Sequence, residues 1–171
     1  SGGAYSLWLN ASTDAFDTMR WLSSQPWSDG VVFSVGASTD AIAAQLQPLE
    51  SPSWLQCQYV AFGSADLWRT WFEHGAYRAG VLDEWLRANG AAQWQAIVRQ
   101  QEAPSGFWAS GTMAASWAHV TYPSVHLAGW YDLFTQRSLD AFEGAMWAAA
   151  PAARGLAYLV TVPGGQCADA D

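Results

Sequence analysis

The sequence has few basic residues and few cysteines. Seven arginines and no lysine stand against fifteen acidic residues, which gives a formal net charge of −8. This balance argues against a nucleic-acid partner, because such binding depends on clustered positive charge. Two cysteines, Cys57 and Cys167, are too few for a disulfide framework or a zinc site. We therefore expect no metal and no cofactor.

Long apolar runs are also missing. No run approaches the ~20 residues that a membrane-spanning helix needs, so we expect no membrane span. The first residues do not resemble a signal peptide. The chain begins with Ser1, so we expect it to be processed or to be part of a longer polypeptide. A glycosylation sequon at Asn10-Ala11-Ser12 allows a secretory or extracellular location without requiring one, and the compartment stays unassigned.

What the sequence does contain is apolar material. Hydrophobic residues make up 51% of 171 residues and charged residues 13%, which is typical of one globular unit with a sizeable core. Twelve tryptophans are a high number. Tryptophan usually serves packing, and this density also suits an aromatic-lined pocket or a buried interface.

The stretch 31–46 predicts a strand, a sharp turn and a helix. Residues 31–35 are mostly apolar, as in a strand of a parallel sheet that is buried on both faces. A turn of this kind can be a nucleophile elbow, which lifts the hydroxyl of Ser38 above the sheet and turns the N–H of Thr39 toward a developing oxyanion. The alternative is a loop in which Ser38 or Thr39 caps the helix. Asp40 stands where the pattern G-x-S-x-G expects a small residue, and we interpret it as a capping or solvated carboxylate.

Strands and helices alternate along the rest of the chain, which predicts an α/β fold with a parallel sheet. The further strands are predicted at 55–62, 124–128 and 156–162, and the helices at 12–24, 41–46 and 134–149. Residues 66–117 read as helical segments without a strand pattern, and this stretch contains six tryptophans. The predicted organisation is a core at 1–65, a mainly helical insertion at 66–118 and a second core part at 119–171.

A serine hydrolase needs a nucleophile, a base that takes its proton and a carboxylate that orients the base. After Ser38, the chain offers Asp132 at the end of Gly129-Trp130-Tyr131-Asp132, directly behind a predicted strand. In α/β-hydrolases the base follows the last strand. The residues at that place are Gly164-Gly165-Gln166-Cys167.

These motifs resemble those of the cocaine-esterase and X-Pro dipeptidyl-peptidase family of α/β-hydrolases. The matching segments are DTMRWL at 17–22, QPWSDGVV at 25–32, the elbow GAS at 36–38 and PSVHLAGWYD at 123–132. Ser1-Gly2-Gly3 is similar to the end of a Gly-rich loop of that family. The resemblance covers most of the chain, and the middle third matches only as a helical cap.

The resemblance implies a serine hydrolase that acts on a small ester or peptide substrate. Ser38 then matches the nucleophile and Asp132 the acid, while Trp130 and Tyr131 form the pocket wall. The family's histidine lies in a Gly-Pro-x-x-His turn, and Gln166 occupies that position. Glutamine cannot accept a proton at neutral pH. One alternative is therefore a catalytically silent homologue that serves as a structural or binding subunit, and another is a binder of apolar ligands through the Trp-rich cap.

Other histidines could approach the site. His126 lies inside a predicted strand, and we interpret it as a packing residue. His119 and His74 lie before that strand and in the cap, and no pair of histidines has metal-ligand spacing. The family's sheet has roughly eight strands, whereas four are predicted here. The resemblance thus implies a partial α/β-hydrolase sheet, which additional polypeptide or a partner chain completes.

Overall fold

The structure is a computed structural model that describes residues 5–166. Its strands are β1 (Val32–Ala37), β2 (Leu55–Ala61), β3 (Phe72–Glu73), β4 (Ala76–Tyr77), β5 (Ser124–Gly129) and β6 (Ala157–Val162). Its α-helices are α1 (Ala11–Ser23), α2 (Thr39–Leu46), α3 (Leu67–Trp71), α4 (Ala79–Ala88), α5 (Trp94–Arg99) and α6 (Thr135–Glu143). Short 3₁₀ segments occupy Gln47–Glu50, Gly106–Gly111 and Trp117–His119, and a π-helical turn at Gly144–Ala148 extends α6.

A parallel sheet with the strand order β1-β2-β5-β6 organises the fold. These are the strands that the sequence predicts, and the α/β fold class is confirmed. The chain also forms a small antiparallel hairpin of β3 and β4, which the sequence analysis did not predict. The two residues between these strands, His74 and Gly75, both have positive φ, of 50° and 85°. Two such residues in succession fit the tight turn that hairpins prefer.

The two faces of the sheet differ in burial. Five apolar residues on one face are exposed: Phe33 (68%), Val35 (73%), Tyr59 (39%), Tyr158 (59%) and Val160 (48%). Val125 and Leu127, on the same face, are half-buried. The helices α2 and α6 pack against the other face. The buried residues of that face include Ser34, Gln58, Val60, Ser124 and His126.

The prediction that residues 31–35 are buried on both faces is therefore wrong. Phe33 and Val35 point away from the helices, and burial of a strand on both faces requires a second layer. The prediction that additional polypeptide or a partner chain completes the sheet stays a prediction. The exposed apolar face is what such a layer would cover.

The hydrophobic core lies on the helical side and includes the Trp-rich stretch. Trp71, Phe72 and Trp108 are almost fully buried, and they belong to the same cluster as Ile42 and Leu55. Residues 66–118 thus share their core with the helices that cover the sheet, while the division of the chain into three parts stays a prediction. Between residues 5 and 166, no helix has the length and apolar character needed to cross a membrane. Ser1-Gly2-Gly3 and Cys167 lie outside the described residues.

Candidate active site

The turn between β1 and α2 holds Ser38 in an unfavourable backbone conformation. Its φ is 56° and its ψ is −120°, a combination that residues with a side chain rarely adopt. The N–H of Ser38 donates to the carbonyl of Ala61 at 2.9 Å, and its carbonyl accepts from the N–H of Ile42 at 3.2 Å. Neighbouring backbone thus fixes the serine from both sides and maintains the strain.

The hydroxyl of Ser38 does not cap α2. Ser38 occupies the position before the first helical residue, but its side chain accepts no capping hydrogen bond from the described backbone. The capping alternative for Ser38 is therefore wrong. Strained residues of this kind cluster at active sites and ligand clamps.

Gly36 allows α2 to begin close to β1. A Cβ atom built on Gly36 would lie 2.5 Å from the carbonyl oxygen of Asp40. The tight contact thus involves the backbone of Asp40, whose side chain is exposed. This arrangement explains how a carboxylate is accommodated where the sequence pattern expects a small residue, and it agrees with a solvated role for Asp40.

Asp132 connects the loop after β5 to the loop after β6. Its Oδ1 accepts a hydrogen bond from the N–H of Phe134 at 2.7 Å, and its Oδ2 accepts from the N–H of Gln166 at 2.8 Å. The two loops touch through their backbones, since a Cβ on Gly129 would lie 2.1 Å from the carbonyl oxygen of Gly164. The carboxylate therefore holds residue 166 in place by its main chain.

A small apolar cavity of about 70 Å³ lies beside the Ser38 turn. Ser38, Thr39 and Gln166 line it, and Asp132 is connected to it through its hydrogen bond to Gln166. The amide oxygen Oε1 of Gln166 is buried, and no described group lies within hydrogen-bond distance of it. Ser38 follows β1 and Asp132 follows β5, so both lie at the carboxyl-terminal edge of the parallel sheet, with β2 between their strands.

The walls of the cavity differ from the sequence prediction. Trp8, Trp71, Trp85 and other apolar residues line it, and most of them come from the loop before α1, from α3 and α4, and from the two residues before α6. Trp130 and Tyr131 are 58% and 87% exposed and are absent from this lining, so their role as a pocket wall stays a prediction. The high tryptophan content was the sequence signal for an aromatic wall, but it could not select the residues.

The described histidines lie elsewhere. His126 is 2% exposed in β5, its Nε2 lies 3.0 Å from the Ser124 hydroxyl, and its ring meets Phe142 edge-on. Burial lowers the pKa of His126 to about 4, which keeps the ring neutral. This environment agrees with a packing role. His119 and His74 are exposed, and neither lines the cavity. No group of three or more potential metal ligands occurs in the described part of the chain.

Comparison with known families identifies the chain. The model of the X-Pro dipeptidyl-peptidase (S15) family matches residues 1–96, which is more than half of the chain. The chain belongs to this family. The resemblance inferred from the sequence is thereby confirmed. No curated protein matches the chain.

Solved hydrolases share the fold of this S15-family chain. A CocE/NonD family hydrolase from Staphylococcus aureus superimposes with a TM-score of 0.78 at 20% identity, over 94% of this chain and 30% of its own. An α-amino acid ester hydrolase gives 0.61 at 22% identity, over 91% and 32%. An aminopeptidase from a marine sediment archaeon, Thaumarchaeota archaeon, gives 0.57 at 16% identity, over 96% and 33%. The S15-family chain therefore spans about a third of the length of these neighbours.

Proposed function

We propose that the chain carries a serine-hydrolase site for an ester or amide substrate, with Ser38 as the nucleophile. The observation that supports this most strongly is the strained Ser38 in a strand–turn–helix arrangement, placed in a cavity that it shares with Gln166. This arrangement has the form of a nucleophile elbow. Membership of the S15 family and the fold of the solved neighbours agree with a hydrolase.

Thr39 is the proposed oxyanion donor. In a trans peptide the C=O and the N–H point in opposite directions. The carbonyl of Ser38 points along α2 toward the N–H of Ile42, so the N–H of Thr39 points away from the helix at its positive end. Thr39 also lines the cavity. A donor in this position suits the negative charge that develops on a carbonyl oxygen when a serine attacks it.

Asp132 and residue 166 occupy the positions of acid and base. The carboxylate of a triad fixes the base in the orientation that faces the nucleophile. Here Asp132 fixes the main chain of Gln166 beside the cavity. The carboxamide of Gln166 can accept a hydrogen bond but not a proton, so Ser38 has no base at this position. We therefore expect slow reaction of Ser38, as in hydrolases that lack one member of the triad.

The cavity favours a substrate with a small apolar group. Its lining is mostly aliphatic and aromatic, and its volume of about 70 Å³ admits only a few carbon atoms. An apolar acyl or amine group gains free energy there by leaving water. The proposed substrate class is thus a small ester or peptide with an apolar group next to the scissile bond.

A fluorophosphonate probe, which phosphonylates activated serines, tests the proposal. We expect slow labelling of the chain that disappears in Ser38→Ala and persists in Ser34→Ala, since Ser34 lies on β1, the strand before Ser38, and does not line the cavity. The change Gln166→His should raise the labelling rate at least about 100-fold, the usual contribution of a general base. Labelling that survives in Ser38→Ala would contradict the assignment of the nucleophile.

A second candidate function is a silent homologue that serves as a structural or binding subunit. The family match and the solved neighbours do not favour it. The argument for it is that Gln166, the residue whose main chain Asp132 binds, cannot act as a base. This candidate predicts no Ser38-dependent labelling, either in the natural chain or in Gln166→His. The same experiment therefore separates the two functions.

A further inference from the structure

Trp8 reaches the Ser38 turn from a distant part of the chain. Its indole Nε1 donates a hydrogen bond to the carbonyl oxygen of Thr39 at 3.0 Å, although the two residues are 31 positions apart. Thr39 is the residue whose N–H is the proposed oxyanion donor. Trp8 also lines the cavity beside Ser38. One side chain thus contacts both the turn and the space where substrate would lie.

The backbone around Trp8 is strained to place this ring. Leu7 and Trp8 have φ values of 52° and 62°, in the left-handed region that residues with a side chain seldom occupy. Two such residues in succession persist only where their surroundings hold them. The side chain of Leu7 is fully buried, and the carbonyl of Trp8 accepts from the N–H of Ala11 at 2.9 Å, where α1 begins.

Other aromatic rings keep the indole in position. Trp8 stacks on Trp85 with ring centroids 5.2 Å apart and an interplanar angle of 24°. Tyr5 meets Trp8 edge-on at 5.7 Å, and the carbonyl of Tyr5 accepts from the indole N–H of Trp94 at 3.0 Å. The ring is therefore held by its neighbours, and its N–H presents a fixed donor to Thr39.

We propose that Trp8 is a positioning residue that fixes the Thr39 peptide groups for oxyanion stabilisation, an inference that rests on the proposed function. The N–H of Ile42 holds the carbonyl before Thr39, and Trp8 holds the carbonyl after it. Both peptide planes that flank the Cα of Thr39 are then fixed, and so is the direction of its N–H. A donor fixed before reaction needs no reorganisation when charge develops.

Trp8→Phe tests this role because it keeps an aromatic ring and removes the indole N–H. Trp68→Phe is the matched control, since it also removes an indole N–H, which donates to the carbonyl of Glu102 at 3.0 Å, and Trp68 does not line the cavity. Both changes are made in the Gln166→His chain, with hydrolysis of 4-nitrophenyl butyrate as the assay. We expect Trp8→Phe to lower kcat roughly three- to tenfold, the effect of one lost hydrogen bond, with KM within about twofold. Trp68→Phe should leave both kcat and KM within about twofold.

Hydrogen exchange supplies a readout that does not depend on turnover. Deuterium uptake in a peptide that contains residues 38–42 should rise in Trp8→Phe and stay unchanged in Trp68→Phe. Equal kcat in the two variants, together with Ser38-dependent labelling, would overturn the positioning role and leave the proposed function standing. Unchanged exchange at 38–42 in Trp8→Phe would overturn it as well. Absence of Ser38 labelling in every background would instead overturn the proposed function, and this inference with it.

Discussion

Replacing Gly36 by alanine should destabilise the chain by about 1–2 kcal/mol. The added Cβ would lie 2.5 Å from the carbonyl oxygen of Asp40, 2.6 Å from its carbon and 2.8 Å from the N of Ala41. These are backbone atoms of α2 and cannot rotate away, so the helix must shift by roughly 1 Å to restore van der Waals distance. Overpacking of this kind costs about 1–3 kcal/mol. Alanine also lowers the conformational entropy of the unfolded chain, which stabilises the folded chain by about 0.4–1 kcal/mol.

Urea unfolding followed by circular dichroism measures this change, with Gly80→Ala as the matched control. Gly80 lies in the first turn of α4, and a Cβ there would meet no atom within 4 Å. Alanine should therefore stabilise that helix by about 0.5–1 kcal/mol. The shift of α2 in Gly36→Ala should also misplace Ser38 and lower its fluorophosphonate labelling by about 100-fold. A free energy of unfolding for Gly36→Ala within about 0.5 kcal/mol of the natural chain would refute the close approach of α2 to β1.

Two further predictions concern burial. Burial lowers the pKa of His126 from 6.5 to about 4, so its ring is neutral in the folded chain. Protonation of His126 therefore favours the unfolded chain. This effect on the free energy of unfolding is absent above pH 6.5 and lowers that free energy by about 3 kcal/mol as the pH falls to 4. His126→Leu should flatten the dependence of the free energy of unfolding on pH between pH 6.5 and 4. The control His119→Gln, at an exposed position, should leave that dependence unchanged. An unchanged slope in His126→Leu would contradict the buried neutral ring. Val35 is 73% exposed and Val60 is 2% exposed, so Val60→Thr should cost about 1–3 kcal/mol and Val35→Thr less than about 0.5 kcal/mol in urea unfolding. Equal costs would contradict the exposed sheet face.

The sequence was sufficient to locate the four strands of the sheet and to place Ser38 and Asp132 directly after two of them. The four strands of the sheet are short runs of β-branched and aromatic residues bounded by glycine or proline, and such runs are recognised locally. Ser38 and Asp132 each follow one of these runs, and parallel strands end at the same edge of a sheet. Their location at one edge of the sheet could therefore be predicted without coordinates, while their shared role in one site stays a prediction.

The rest depends on contacts that a linear pattern does not encode. The exposure of Phe33 reflects which layers cover the sheet, and an apolar strand looks the same whether one face or both are covered. The hydrogen bond from Trp8 to Thr39 joins residues 31 positions apart through a loop without periodicity. The family resemblance predicts Trp130, two residues before Asp132, for the pocket wall. The described cavity is lined by tryptophans from other segments.

The central claim is that Ser38, Asp132 and residue 166 form one catalytic site that lacks only its base. The rate of fluorophosphonate labelling in Gln166→His, with and without Asp132→Ala, tests it most directly. We predict a rise of at least about 100-fold in Gln166→His, which Asp132→Ala largely abolishes because the carboxylate holds residue 166 beside the cavity. A folded Gln166→His chain that labels no faster than the natural one would contradict the claim.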